Sequence, residues 1–212
     1  MQHSSRLMSI DPRHPQQNVL EQAAEALKQG GLVIFPTETV YGIAAIHGNK
    51  TATEKLVKIK DRDAKKPFTL HICDMDTITK AGCVIPPAAQ KLMDKYWPGP
   101  LTLLLPLKKK TGKLGFRYPD HPVAIGLIKA VGTALIAPSA NRKGEKSPVN
   151  ALETLIALGD EVDIILDAGA TGYGRESTIL DLSGEKIQLI REGAISFDEI
   201  QNFLKNEVIV DK

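Results

Sequence analysis

The stretch FPTETVYGI, residues 35–43, decides how this chain is read. Four apolar residues, Leu32-Val33-Ile34-Phe35, make a short buried strand that runs into a proline. Two threonines then flank Glu38, and a Tyr-Gly pair follows. Hydroxyls placed there either cap their own backbone in a turn or line the mouth of a polar site. Polar segments follow apolar runs at three more places: Pro138-Ser139-Ala140-Asn141 after TALIA, residues 169–178 after VDIILDA, and Arg191-Glu192-Gly193 after KIQLI. Loops at strand ends of an α/β sheet converge on ligands. One such loop is more often a turn than a site. Four of them, bearing hydroxyls and cations, point to one shared polar pocket.

Apolar periodicity and end signals predict helices over 15–29, 51–60, 86–96, 122–131, 148–158 and 196–204. Thr51-Ala52-Thr53-Glu54 has the form of a capping box for the second. Strands are expected over 32–35, 68–72, 101–107, 133–137 and 162–166, with Pro106 marking a strand end or a sheet edge. Segments 178–182 and 186–191, joined by Ser183-Gly184-Glu185, read as a hairpin. Alternating helices and strands with a late hairpin indicate one α/β domain with a mixed sheet. That domain spans 15–205, between an N-terminal tail (1–14) and a C-terminal tail (206–212).

The composition, 42% hydrophobic and 25% charged over 212 residues, is that of a soluble globular protein. No apolar run approaches the roughly 18 residues of a membrane helix. MQHSSRLMSIDPRHP lacks the apolar centre of a signal peptide. Cys73 and Cys83 have neither metal-ligand spacing nor a disulfide pattern, so no metal site is expected and the cytoplasm is the expected location. A net charge of +2 excludes a generic polyanion binder. Cations nevertheless cluster: Lys50, Lys55, Lys58, Lys60, Arg62, Lys65 and Lys66 against Glu54, Asp61 and Asp63, and again Lys108, Lys109, Lys110, Lys113 and Arg117. Such clusters are solvated faces or anion sites.

Lys60 and Arg62 fall near a predicted helix end, where they either cap the helix or clamp phosphate. Ser139 and Ser147 could donate to phosphate oxygens. Neither a Walker loop nor a GxGxxG after a strand is present, so a nucleotide would be held by another device. Ser139 lies in APSAN rather than in a GxSxG elbow, which argues against a serine hydrolase. Neither cysteine has an activating neighbour except His71, which would share a strand face with Cys73. His47 and His121 read as surface loop residues.

FPTETVYGI, Lys60-Asp61-Arg62 followed by Lys66-Pro67, WPGPLTLLL, Arg117-Tyr118-Pro119-Asp120-His121-Pro122, APSAN, GRESTILDL and IREG occur in an order that resembles the YrdC/Sua5 family, over about residues 15–195. These are threonylcarbamoyl-AMP synthases, and the chain looks like the short form without the additional C-terminal domain. The resemblance implies a twisted sheet with flanking helices around a basic groove. It implies a nucleotidyltransferase that converts L-threonine, bicarbonate and ATP to threonylcarbamoyl-AMP and pyrophosphate, for tRNA threonylcarbamoyladenosine modification. Mg²⁺ would accompany ATP. Thr39, His71, Arg117, Ala137 and Ser177 would contact threonine or its carbamoyl group. Arg62, Lys66, Ser139, Ser147 and Arg191 would contact the nucleotide. Lys60, Arg62 and Asn141 would line the reaction centre, and Arg117 is suited to hold a carboxylate with two bonds. His71 would take the amine proton or orient the substrate; no general base is assigned.

A threonylcarbamoyl-transferase complex would accept the product. Two departures stand out: Lys143-Gly144 where Ser-Gly is usual, and Leu-Gly-Phe before Arg117 where a valine is usual. The alternative is an RNA-binding or ribosome-associated protein like the YciO subgroup, its lysines tracking tRNA or double-stranded RNA. Five Phe, four Tyr and one Trp leave little material for a base-stacking platform.

Overall fold

The computed structural model describes residues 6–64, 66–109 and 111–208, the last three as backbone only. Residues 1–5 and 209–212 of the expected tails, and Lys65 and Lys110 of the basic clusters, lie outside the described residues. Strands are β1 (Arg6–Ser9), β2 (Val33–Phe35), β3 (Gly42–Ile46), β4 (Leu70–His71), β5 (Leu101–Pro106), β6 (Lys113–Arg117), β7 (Leu135–Ile136), β8 (Ile164–Asp167), β9 (Thr178–Asp181) and β10 (Gln188–Arg191). Helices are α1 (Gln17–Lys28), α2 (Lys50–Ile59), α3 (Asp76–Lys80), α4 (Pro87–Tyr96), α5 (Pro122–Val131), α6 (Ala151–Leu158) and α7 (Phe197–Val208).

Among the described residues the strands join one sheet in the order β1-β8-β2-β3-β7-β4-β6-β5-β9-β10. Its pairing is mixed: β2 runs parallel to β8 and antiparallel to β3, and β5 runs parallel to β9 and antiparallel to β6. Alternation across β2 sends Leu32 and Ile34 into one core, packed under α2, α4 and α6. Val33 and Phe35 enter the other, under α1 and α5. A strand covered on both faces reads as an unbroken apolar run, and LVIF is one.

Several elements depart from the sequence reading. Residues 6–9, assigned to a tail, form β1 and pair with β8 along the backbone. Three further elements, β3, α3 and β6, were not anticipated. The cap of α2 is Asn49, whose side chain accepts from Ala52 N at 3.0 Å, so Thr51 does not begin a capping box. At its other end α7 runs to Val208, past the expected limit of the domain.

In the 36–41 loop, Thr37 takes the first of the two roles open to these hydroxyls. Its hydroxyl donates to Val40 O at 2.6 Å and accepts from Val40 N at 3.3 Å, so it caps its own turn. Tyr41, fully buried, fixes the loop from the other side: its hydroxyl donates to Gly169 O at 2.7 Å and accepts from Ala168 N at 3.2 Å. Burial pushes that phenol up to about 12. Removing the hydroxyl in Tyr41→Phe should lower stability by about 1 kcal/mol in urea unfolding, the net worth of a typical hydrogen bond.

Candidate functional site

The loops after β2, α2, β7 and β8, with the ends of β4, β6 and β10, border one cavity of about 190 Å³. Lys60, Arg62, His71, Arg117, Ala137, Ser139, Ser177 and Arg191 all line it. Lys60 and Arg62 also line a neighbouring cavity of about 520 Å³, together with Lys66 and Asn141. Val40 and Glu176 are shared with a third, of about 320 Å³, which Ser147 lines. The three hollows share walls and form one groove. Thr39 stands behind the wall, fully buried, and is not itself a lining residue.

Arg117, at the end of β6, is buried with 6% of its side chain exposed. Its Nη2 donates to Glu38 Oε1 at 2.8 Å and to Thr39 Oγ1 at 2.7 Å. Among the described residues, the buried Arg117 Nε, Glu38 Oε2 and His71 Nδ1 find no hydrogen-bond partner. Buried polar atoms are normally satisfied, and exceptions gather at functional sites. One nitrogen of Arg117 is thus committed to the protein, so the guanidinium is not wholly available for the two-bond grip on a carboxylate expected from sequence.

His71 packs edge-on to Phe35, with ring centroids 6.2 Å apart. Burial, aided by the nearby Arg117 charge, lowers its pKa to about 3. The imidazole is therefore neutral near pH 7 and a weak proton acceptor, which favours orienting substrate over taking its proton.

Lys60 follows the last residue of α2, but its Nζ turns away from that helix. It donates to Ser139 O at 3.0 Å, to Asn141 Oδ1 at 3.0 Å and to Asn141 O. Its backbone N–H closes α2 on Leu56 O, while its side chain fastens the loop after β7. Burial lowers its pKa to about 8, opposed by the charges of Glu176 and Glu145. Arg62 donates to Pro67 O at 2.8 Å and lies 4.9 Å over the Phe68 ring, which holds the 62–68 loop in place.

Across the cavity, Arg191 donates to Ser177 O through Nε at 3.1 Å and Nη2 at 2.9 Å, and Nη1 pairs with Glu176 Oε2. Glu176 accepts from Ser147 Oγ at 2.6 Å, and Ser177 Oγ lies 2.9 Å from Thr102 Oγ1. Gly193 belongs to the same packing: a Cβ there would sit 2.2 Å from Glu176 O.

Sequence reasoning missed Glu38, Thr102 and Glu176 as working parts. Glu38 and Glu176 sit inside the quoted motifs, and Thr102 is a polar residue in the apolar LTLLL run. His71 and Cys73, the one cysteine–histidine pair the sequence could place on a shared strand face, line different cavities. β4 ends at His71, and Cys73 lines a separate cavity of about 520 Å³ with Leu70 and Ile72. That cavity holds none of the predicted site residues. His121 is more than a surface loop residue: its Nδ1 accepts from Val123 N at 3.2 Å and caps α5. Among the described residues, no group of three or more His, Cys, Asp or Glu converges to hold a metal, and no helix is long and apolar enough to cross a membrane.

The Sua5/YciO/YrdC family model, described as "Telomere recombination", matches residues 25–193. The chain belongs to this family. It is 37% identical over 202 residues to the threonylcarbamoyl-AMP synthase of Bacillus subtilis, covering 91% of this chain and 58% of that protein. P. abyssi Sua5, solved in complex with L-threonine, superposes with a TM-score of 0.86 at 30% identity, over 94% of this chain and 61% of the other. E. coli YciO superposes with a TM-score of 0.82 at 26% identity, over 92% and 98%. The chain spans a little over half the length of the first curated relatives it matches. The single-domain α/β reading with a mixed sheet and flanking helices agrees with these structures.

The neutral His71 gives a pH prediction. Its folded pKa, about 3, lies below the ordinary 6.5, so the unfolded chain binds the extra proton between those values. Its contribution to stability is complete above 6.5 and is lost as pH falls toward 3. Chemical unfolding of His71→Phe should show a shallower loss of stability than the parent between pH 6.5 and about 4.5, above the range where ordinary carboxylates titrate.

Proposed function

We propose that this chain is an L-threonylcarbamoyladenylate synthase, acting in the cytoplasm on L-threonine, bicarbonate and ATP. The observation that carries the reading is the buried Arg117–Glu38–Thr39 cluster, set with His71 and Ser177 beside a cation-lined groove. A cavity of about 190 Å³ suits an amino acid, and the adjoining one of about 520 Å³ suits a nucleotide. The relatives' names and the threonine complex of P. abyssi Sua5 support the same assignment.

In this reaction the threonine amine nitrogen forms a bond to the bicarbonate carbon, with loss of water, giving a carbamate anion. A carbamate oxygen then attacks the α-phosphorus of ATP, and the bond from that phosphorus to the pyrophosphate oxygen breaks. Products are threonylcarbamoyl-AMP, pyrophosphate and water. Two anions must approach each other, so fixed cations do most of the work. Arg117 answers the threonine carboxylate, and Lys60, Arg62 and Arg191 border the meeting point. Lys66 and Ser147, in the flanking cavities, serve the nucleotide. Magnesium, brought in with ATP as part of that substrate, would offset charge on the leaving pyrophosphate, beside the cavity lined by Lys66 and Arg62. A threonylcarbamoyl-transferase complex would carry the product onto tRNA.

The likeness to YciO and the exposed Lys108 and Lys109 favour one other reading, an RNA-binding protein without this activity. Pyrophosphate release from ATP, read with mass spectrometry of products from labelled bicarbonate, separates the two. The synthase needs both threonine and bicarbonate and puts the label in the adenylate. Release indifferent to threonine, or salt-steep binding of duplex RNA with no labelled product, overturns it. Arg62→Ala and Lys66→Ala should each weaken ATP binding roughly tenfold, the loss of one charge-assisted contact, with little change in melting temperature. Unchanged ATP titrations would leave these cations outside the nucleotide site.

A further inference from the structure

Lys143 is a cation that the reading above does not use. It sits at the apex of a tight turn, where Asn141 Nδ2 donates to Glu145 O at 2.6 Å and Arg142 N donates to Glu145 Oε2 at 3.1 Å. Gly144 beside it has φ +83°, a backbone conformation that glycine adopts freely. The Lys143 ammonium reaches across the mouth of the groove to Asp61 Oδ2, 2.9 Å away. Both side chains are largely exposed, 65% and 83%, and an ion pair so exposed holds weakly.

Asp61 is the second observation. Among the described residues it is the one non-glycine position with positive φ, +40°. Side chains seldom adopt this region, and such strain persists where the surroundings impose it. The kink after α2 separates three consecutive residues: Lys60 turns to the 139–141 loop, Arg62 to Pro67, and Asp61 to Lys143.

Lys60, Asp61, Arg62 and Lys143 line the same cavity of about 520 Å³, with Asp63 and Lys66. Lys60 spends its donors on three oxygens of the 139–141 loop, and Arg62 is held by Pro67 and Phe68. Among the described residues, Lys143 pairs with one exposed carboxylate of single charge. A terminal phosphate, with higher charge and three oxygens, competes well for that ammonium.

We infer that Lys143 binds the distal phosphates of a nucleoside triphosphate, and that Asp61 holds its place across the groove until phosphate displaces it. The inference rests on the reading of the groove as an ATP site, and it adds a specificity element for triphosphate over monophosphate. Asp61 is a positioning residue that acts through Lys143.

Calorimetric titration of ATP, pyrophosphate and AMP tests this without turnover. Lys143→Ala should weaken ATP and pyrophosphate roughly three- to tenfold and leave AMP within about twofold, as expected for loss of one phosphate contact. Lys143→Arg should restore most of the loss. Asp61→Asn, which keeps a residue tolerant of positive φ, should tighten ATP by removing the competing anion. Equal losses for all three ligands, no loss for any, or weaker ATP binding in Asp61→Asn overturns the inference. A parent protein that binds no ATP at all overturns instead the nucleotide site on which it stands.

Discussion

A charged guanidinium buried in the wall of the groove constrains everything around it. Arg117 ends β6, and its partners Glu38 and Thr39 lie on the loop between β2 and β3. Desolvating such an ion pair costs several kcal/mol in general, repaid only by close geometry and further hydrogen bonds. The pair therefore makes sense less as a source of stability than as a device that fixes two loops. Arg117 Nε, Glu38 Oε2 and His71 Nδ1, buried and without a partner among the described residues, lie at the centre of that device.

Around this anchor, other long-range polar ties place the remaining walls. Lys60 holds the loop after β7, Arg191 holds the chain at Glu176 and Ser177, and Tyr41 ties the 36–41 loop to the one after β8. Each tie joins separate segments of the chain, and those of Lys60 and Arg191 end in the wall of the groove. The proposed adenylate chemistry, which uses no covalent nucleophile, would depend on such positioning, because fixed charges need not reorganise as a reaction proceeds.

Much of the fold was legible because local chemistry declares it. α5 begins with a proline in its first turn and stops at Gly132, with φ +82°, and both signals are visible in the sequence. β2 shows as an apolar run, and the β9–β10 hairpin shows through its polar turn. Other elements declare nothing locally. β3 reads GIAAI, too small and too uniform to show a pattern, and β1 is an edge strand held by backbone pairing with β8. The same division runs through the site. Hydroxyls and cations after apolar runs identified the loops that converge, but not which residue faces ligand and which supports another. Thr39 and Arg117 belong to one cluster although 78 positions separate them, and Glu38 acts through the same arginine. No local signal encodes that distance.

The most direct test of this arrangement is a crystal structure of the chain with L-threonine and a non-hydrolysable ATP analogue bound together. The amino acid should lie in the cavity between Arg117, His71 and Ser177, with the Arg117–Glu38 pair intact. The triphosphate should run toward Lys66. Threonine in the cavity beside Cys73, or a nucleotide bound away from Arg62 and Lys60, would contradict it.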